Sequence, residues 1–343
     1  MTFPVGINVG QFFSGPPPRW GERVRRIEDL GFDGIWFAEA YGSDVFTPLA
    51  WCAARTTRVR LGTAVAQIPA RTPAATAMAA ATLDHLSGGR VVLGLGASGP
   101  QVSEGWHGVA FPRPLARTRE YVGVVQQVLA RERPLTYDGE FQQLPSPGGT
   151  GLGKPLRSSL HPLRPSLPIQ LGAEGPRNVA LAAEIADGWH AMFFSPHDDE
   201  RYRQALAAGF ARRPGGRPEN FEVVATVPVV VDGDVERAAD RVRPDLARYL
   251  GGMGARGANF HHDVFARRGH AELAARVQDL YLRGEKRAAA SAIPTAVVED
   301  VALIGPARKI REDLGRWEST VIDSIAVQGL PDDLDAVAQA LLA

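Results

Sequence analysis

The chain has 343 residues, with 38 lysines plus arginines against 38 aspartates plus glutamates, a formal net charge of zero and one cysteine. That length fits two average domains or one (β/α)8 barrel with insertions, and the balanced charge excludes the basic footprint of a nucleic-acid binder. The lone Cys52 excludes an internal disulfide and a cysteine metal cluster, in keeping with a reducing cytoplasm. No apolar run approaches about 18 residues and the start carries no basic-then-apolar leader, so neither a membrane span nor export is expected.

Residues 3–9 read as a first strand ending at Gly10-Gln11, and Pro16-Pro17-Pro18 stiffen the loop before a helix over 20–30. Gly31-Phe32-Asp33-Gly34 closes that helix; a second strand at 35–37 carries Glu39 at its carboxyl end, followed by Tyr41, Gly42 and Asp44. A helix over about 48–56 leads into the most informative stretch, 59–105. There 59–66 and 91–95 are apolar on both faces, and the alanine-rich 73–86 lies between them without an internal proline or glycine. The pattern predicts a βαβ unit with buried parallel strands. Ser87-Gly88-Gly89-Arg90 ends the helix where glycine can turn left-handed. The second strand runs into Gly94-Leu95-Gly96-Ala97-Ser98-Gly99, where bare backbone admits a flat ring or a phosphate.

Residues 100–108 form a polar, glycine-rich loop, long enough to suggest function, and 117–131 is the next helix. A short hairpin or edge segment is expected over 137–144. The proline- and glycine-rich 145–165 reads as an excursion over the barrel mouth, with Lys154, Arg157 and Arg164 either solvated or placed to meet the acidic tail of a ligand. A fifth strand at 167–171 leads through Gly172-Ala173-Glu174-Gly175-Pro176-Arg177-Asn178 to a helix whose free N–H groups form an anion site. A sixth strand at 189–194, a helix to about 212, a seventh strand at 221–231, a broken helical stretch over 251–319, an eighth strand at 322–327 and a last helix over 331–342 complete the chain. Eight strand–helix steps predict an α/β fold, a (β/α)8 TIM barrel in one domain over 1–343 with insertions near 137–166 and 251–319.

Gly94-x-Gly96-x-x-Gly99 spells the dinucleotide fingerprint, which needs a helix starting at the turn and an acid about 20 residues on. Pro100 follows instead, no helix is expected before Pro112, and Glu120 falls inside that later helix, so a Rossmann reading is set aside. Close approach of a cofactor is the preferred reason for the glycines. Glu39 divides evenly between a functional acid and an ion-paired scaffold residue, and His107 between an acid–base group and a solvated or capping ring. His261-His262-Asp263 suggests a metal cluster on paper, but adjacent side chains diverge and no metal is assigned. Nucleophile-elbow, Walker and His-Glu-x-x-His motifs are missing.

Gly31-Phe32-Asp33-Gly34-Ile35-Trp36, Leu61-Gly62-Thr63-Ala64-Val65, Leu83-Asp84-His85-Leu86-Ser87-Gly88-Gly89-Arg90, Gly94-Leu95-Gly96 and Ala186-Asp187-Gly188-Trp189 together resemble the bacterial luciferase-like family of flavin and deazaflavin enzymes. The run 96–108 is similar to its coenzyme F420 branch of actinobacterial type. The resemblance implies a cofactor ring at the carboxyl mouth of the barrel, backed by a non-prolyl cis peptide between Ala64 and Val65. It implies that Glu39 contacts the deazaflavin, that Gly96, Ala97, Ser98 and Gly99 follow the ring and ribityl chain, and that Gly172, Ala173, Glu174, Gly175 and Asn178 hold the phosphate end. Relatives that oxidise sugar phosphates or alcohols carry a histidine just after the strand-two acid, where this chain has Ala40, so alcohol oxidation is in doubt and His107 is the substitute proton partner. The expected function is F420-dependent hydride transfer with a small organic substrate, with Glu39 and His107 as catalytic residues and no metal. An FMN-dependent monooxygenase and a non-enzymatic cofactor-binding barrel are the alternatives. A cytoplasmic homodimer is expected.

Overall fold

The computed structural model describes residues 3–342; residues 1, 2 and 343 of the domain read from sequence lie outside the described residues. In chain order the elements are β1 (Val5–Gly10), α1 (Trp20–Asp29), β2 (Gly34–Phe37), α2 (Phe46–Ala53), β3 (Arg60–Thr63), β4 (Ala66–Gln67), α3 (Pro73–Ser87), β5 (Val91–Gly96), α4 (Pro100–Gly105) and α5 (Pro114–Ala130). There follow β6 (Tyr137–Asp138), β7 (Gln143–Leu144), β8 (Ile169–Gly172), α6 (Pro176–Ile185), β9 (Gly188–Met192), α7 (Asp199–Phe210), β10 (Glu222–Val227) and β11 (Val229–Val231). Then come α8 (Val235–Gly252), α9 (Phe260–Phe265), α10 (Ala271–Leu282), α11 (Lys286–Ser291), α12 (Thr295–Glu299), β12 (Leu303–Gly305), α13 (Ala307–Glu318), β13 (Ser324–Gln328) and α14 (Leu334–Leu341).

Parallel pairing runs β3-β2-β1-β13-β10-β9-β8-β5, and β3 pairs with β5 to close the cylinder. This is the eight-stranded TIM barrel expected from the sequence. Helices cover it through apolar stripes at helical spacing, such as Trp20, Val24 and Ile27 on α1 and Ile310, Leu314 and Trp317 on α13. A second, smaller core lies between β10 and α13, where Val242, Leu246 and Leu250 of α8 pack with Val264, Phe265, Val277 and Val298, and Phe193 ties it to the end of β9.

The foot of the cylinder is plugged by charge. The Arg60 guanidinium donates to Asp33 Oδ2 at 2.6 Å and to both oxygens of Glu222 at 2.8 and 2.9 Å, while Gln170 and Ser324 donate to the same carboxylate at 2.9 and 3.0 Å. Above it lies the Trp36 indole, for which Gly62 leaves room: a Cβ there would sit 2.0 Å from the ring.

Four sequence readings change. A helix does begin at Pro100, because proline suits a first helical turn, so the stretch 100–105 is not loop. The seventh strand breaks at Pro228, which has no N–H for a ladder, and its far half pairs with β12, a three-residue strand hidden beside Gly305-Pro306. Within 251–319, α13 packs on the barrel core rather than in the inserted one. The 145–165 excursion does not cross the mouth. It runs past the carboxyl ends of α3 and α5 at the foot, where Arg131 Nε donates to the Ser158 carbonyl at 2.7 Å and Arg164 clamps buried Asp84 at 2.8 and 3.0 Å. Asp84 is what fixes this path: a carboxylate 3% exposed needs a cation, and Arg164 supplies it. Lys154, Arg157 and Arg164 therefore stand away from any ligand at the mouth.

Candidate active site

At the carboxyl ends of the strands a cavity of about 1020 Å³ opens, large for one small ligand and ample for a cofactor with a second molecule beside it. All the residues expected to hold a cofactor line it: Glu39, Ala64, Val65, Gly96, Ala97, Ser98, Gly99, Gly172, Ala173, Glu174, Gly175 and Asn178. His107 does not.

The wall at β3–β4 is a bulge carrying the cis peptide between Ala64 and Val65. The glycines facing it have a nearer cause than a cofactor. A Cβ on Gly94 would lie 1.9 Å from the Thr63 carbonyl oxygen, one on Gly96 2.4 Å from Val65 Cγ2, and one on Gly172 2.8 Å from Val65 Cγ1. Adjacent strands thus cut a notch that seats the Val65 side chain, a packing reason for these glycines that stands beside the cofactor reading, since Gly96 and Gly172 also line the cavity. At Gly99, by contrast, a Cβ would meet nothing within 4 Å.

Glu39 is clamped by Arg71 at 2.6 and 2.9 Å, and its Oε1 also accepts the Gln67 N–H at 2.8 Å. Its side chain is 6% exposed. Such a carboxylate is held for orientation. Next to it Gln67 donates to Ser98 Oγ at 3.0 Å, and Gln67 Oε1 accepts from His107 Nε2 at 2.9 Å, so His107 stands behind Gln67 rather than in the cavity. Ser98 itself has φ 63°, a left-handed backbone unusual outside glycine. Ala40 lines the cavity, and its N–H donates to Gln11 Oε1 at 3.2 Å.

The floor is uncharged. Asn8 Nδ2 donates to Thr226 Oγ1 at 3.1 Å and the His190 Nε2 lies 2.8 Å from the same hydroxyl, leaving His190 Nδ1 buried without a partner among the described residues. Burial pushes the His190 imidazole down to about 4, against a smaller opposing pull from Glu222. Between the ordinary value near 6.5 and about 4 the unfolded chain takes up a proton that the folded chain refuses. Stability is therefore intact above about pH 6.5 and drains as pH falls toward 4, by up to roughly 3 kcal/mol from this ring. Urea unfolding at pH 7.5 and 4.5 checks it: His190→Asn should lose less stability between the two than the parent, and equal losses would refute the assignment.

On the opposite wall His261, from α9, donates through Nδ1 to Glu174 Oε1 at 2.6 Å; its ring lies edge-on to Phe193 and Tyr249 at 5.6 and 4.9 Å. His262 turns away to Asp263 at 3.2 Å, so the two neighbours part as their spacing implied. Sequence reasoning weighed His261 only as a metal ligand and missed Gln67, Arg71, His190 and Thr226. No motif marks those four; the barrel's register alone brings them together.

A family model described as luciferase-like monooxygenase matches residues 5–324. The chain belongs to this family. Within it, this luciferase-like protein is 50% identical to "Putative coenzyme F420-dependent oxidoreductase Rv3520c" of Mycobacterium tuberculosis, over 94% of both chains. It is 35% identical to a 5,10-methylenetetrahydromethanopterin reductase of Archaeoglobus fulgidus, over 67% of this chain and 65% of that one. The fold superposes on the coenzyme F420-dependent tetrahydromethanopterin reductase of Methanopyrus kandleri with a TM-score of 0.78 at 22% identity, covering 99% of this chain and 97% of that one. A monooxygenase from Streptomyces bottropensis superposes at 0.67 with 21% identity, over 99% and 96%, so the shared barrel does not itself choose between reductase and monooxygenase.

Proposed function

We propose that this chain is a coenzyme F420-dependent oxidoreductase that transfers a hydride between the deazaflavin and a small organic substrate. The observation that carries the reading is the 50% identity, over 94% of both chains, with the mycobacterial relative whose name assigns it to coenzyme F420, joined to a cavity whose walls suit such a cofactor. The fit is local. The Val65 bulge offers an apolar face, Gly99 leaves open backbone, and α6 begins at Pro176 beside Arg177, a helix start and cation suited to a phosphate.

When bound, the deazaflavin supplies two-electron hydride chemistry and little reactivity toward oxygen. The chain supplies the rest. Val65, seated in its glycine notch, backs the ring. Glu39, fixed by Arg71, positions the ring edge and is assigned no proton transfer. Gln67, held by Ser98 and His107, presents its amide to the same end, making His107 a positioning residue rather than a direct proton partner. Gly172, Ala173, Glu174, Gly175 and Asn178 border the phosphate end. The neutral floor of Asn8, Thr226 and His190 closes the bottom of the cavity without adding charge.

Oxygen consumption separates this reading from flavin-dependent monooxygenation. Purified protein with reduced FMN in air is expected to consume oxygen no faster than the free flavin does; substrate-stimulated uptake would replace the proposal with the monooxygenase alternative. Residence in the cytoplasm and independence of nucleic acid fit the buried, unpaired Cys52 and the balanced charge. Self-association as a homodimer is supported by Met78 and Leu86 of α3, 61% and 65% exposed. A monomer in sedimentation velocity overturns that part.

A further inference from the structure

We propose that the rim half of the cavity is a chamber for an uncharged, bulky, cyclic apolar substrate; this rests on the reading that the Val65 side holds the deazaflavin. Phe13, Tyr41, Trp106 and Phe260 are 73%, 55%, 65% and 44% exposed, and they are the only exposed large aromatics among the described residues. All four line this one cavity. They come from separate segments, after β1, after β2, just after α4 and from α9, so local sequence does not account for their meeting. Each ring carries about 150–250 Å² of surface that favours burial, and convergent exposed apolar groups around a concave opening are the mark of a site for an apolar ligand. Phe111 extends the wall, 6.4 Å from Phe260.

Charge at the cavity points the same way. Two of the three lining carboxylates are paired with arginine, Glu39 with Arg71 and Asp245 with Arg248 at 3.1 Å, and the third, Glu174, holds His261 through Oε1 while its Oε2 is buried without a partner among the described residues, so no carboxylate leaves a cation free for an anionic substrate. The Arg248 guanidinium also lies over the Tyr249 ring at 4.6 Å. Among the described residues, Arg177 is the one lining cation without a carboxylate partner, and it stands at the start of α6, where the cofactor's phosphate belongs. A sugar phosphate or carboxylic acid entering at the rim would lose its hydration against aromatic faces and find no free counter-charge. A neutral ring skeleton loses nothing by the same move. Ala40, with no imidazole in the way, leaves its side of the chamber open to bulk.

The test is a calorimetric titration of the cofactor-loaded protein with cyclohexanone, 2-decalone, androst-4-ene-3,17-dione and glucose 6-phosphate. Affinity is expected to rise at least about tenfold at each step along the ketone series, with a negative heat-capacity change, and glucose 6-phosphate should give no saturable heat. Trp106→Ala and Phe260→Ala should each weaken 2-decalone about tenfold while the dissociation constant of the deazaflavin moves less than about twofold. Flat affinity along the series, or saturable binding of the sugar phosphate, overturns the proposal. The two readings fail separately. With the same titration repeated on unloaded protein, ketones that follow the series while the deazaflavin gives no saturable binding would remove the cofactor assignment and leave the chamber, whereas deazaflavin binding without ketone binding would remove the chamber alone.

Discussion

Gly96→Ala is expected to weaken deazaflavin binding by at least about thirtyfold and to cost about 2 kcal/mol of stability, both reversed in part by adding Val65→Ala. The new Cβ would lie 2.4 Å from Val65 Cγ2, and Gly172 on the neighbouring strand already faces Val65 Cγ1 across a notch with no spare width. Val65 can escape only toward the cavity, into the space where a ring would rest. Trimming Val65 to alanine removes the methyl groups that collide, so the double variant should recover stability even though the ring's backing is thinner. Thermal unfolding and a fluorescence titration on the three variants read the two effects apart. A Gly96→Ala protein that binds deazaflavin as tightly as the parent would show that the notch does not support the ring.

The second large effect is at the opposite end of the cylinder, where Glu222→Gln should destabilise the protein by about 3 kcal/mol. The side chains of Arg60 and Glu222 are 29% and 23% exposed, and the carboxylate accepts from Arg60, Gln170 and Ser324 at once. Burial acts to raise the Glu222 carboxyl, and the Arg60 hydrogen bonds and charge outweigh it, leaving it below the ordinary glutamate range. A lowered folded value means that this stability is present above the unfolded value of about 4.3 and lost as pH falls through the folded one. The glutamine variant should lack that acid limb. Replacing all three charged partners, Arg60→Met with Glu222→Leu and Asp33→Asn, should recover most of the loss, because no carboxylate of the plug is then left without its cation. Denaturant unfolding that finds Glu222→Gln within about 0.5 kcal/mol of the parent would contradict a structural role for the plug.

The barrel was legible because strands such as 91–95 are apolar on both faces and alternate with helices that stop at glycine. What escaped was conditional on neighbours far away in sequence. Gly94 and Gly96 look alike in sequence, and only the packing of β5 against the β3–β4 bulge shows that one makes room for the Thr63 carbonyl and the other for the Val65 side chain. The cation that clamps Glu39 is Arg71, 32 residues on, a partner that the residues around Glu39 do not reveal. The path of 145–165 followed from a buried aspartate in α3, which composition cannot reveal. His261 was visible as a histidine, but its partner Glu174 lies 87 residues away.

The most direct test is competitive fluorescence titration of the purified chain with oxidised coenzyme F420 and FMN. One deazaflavin per chain, saturable and at least about tenfold tighter than FMN, is the expected result. FMN binding more tightly than the deazaflavin, or neither binding, would contradict the proposed hydride chemistry.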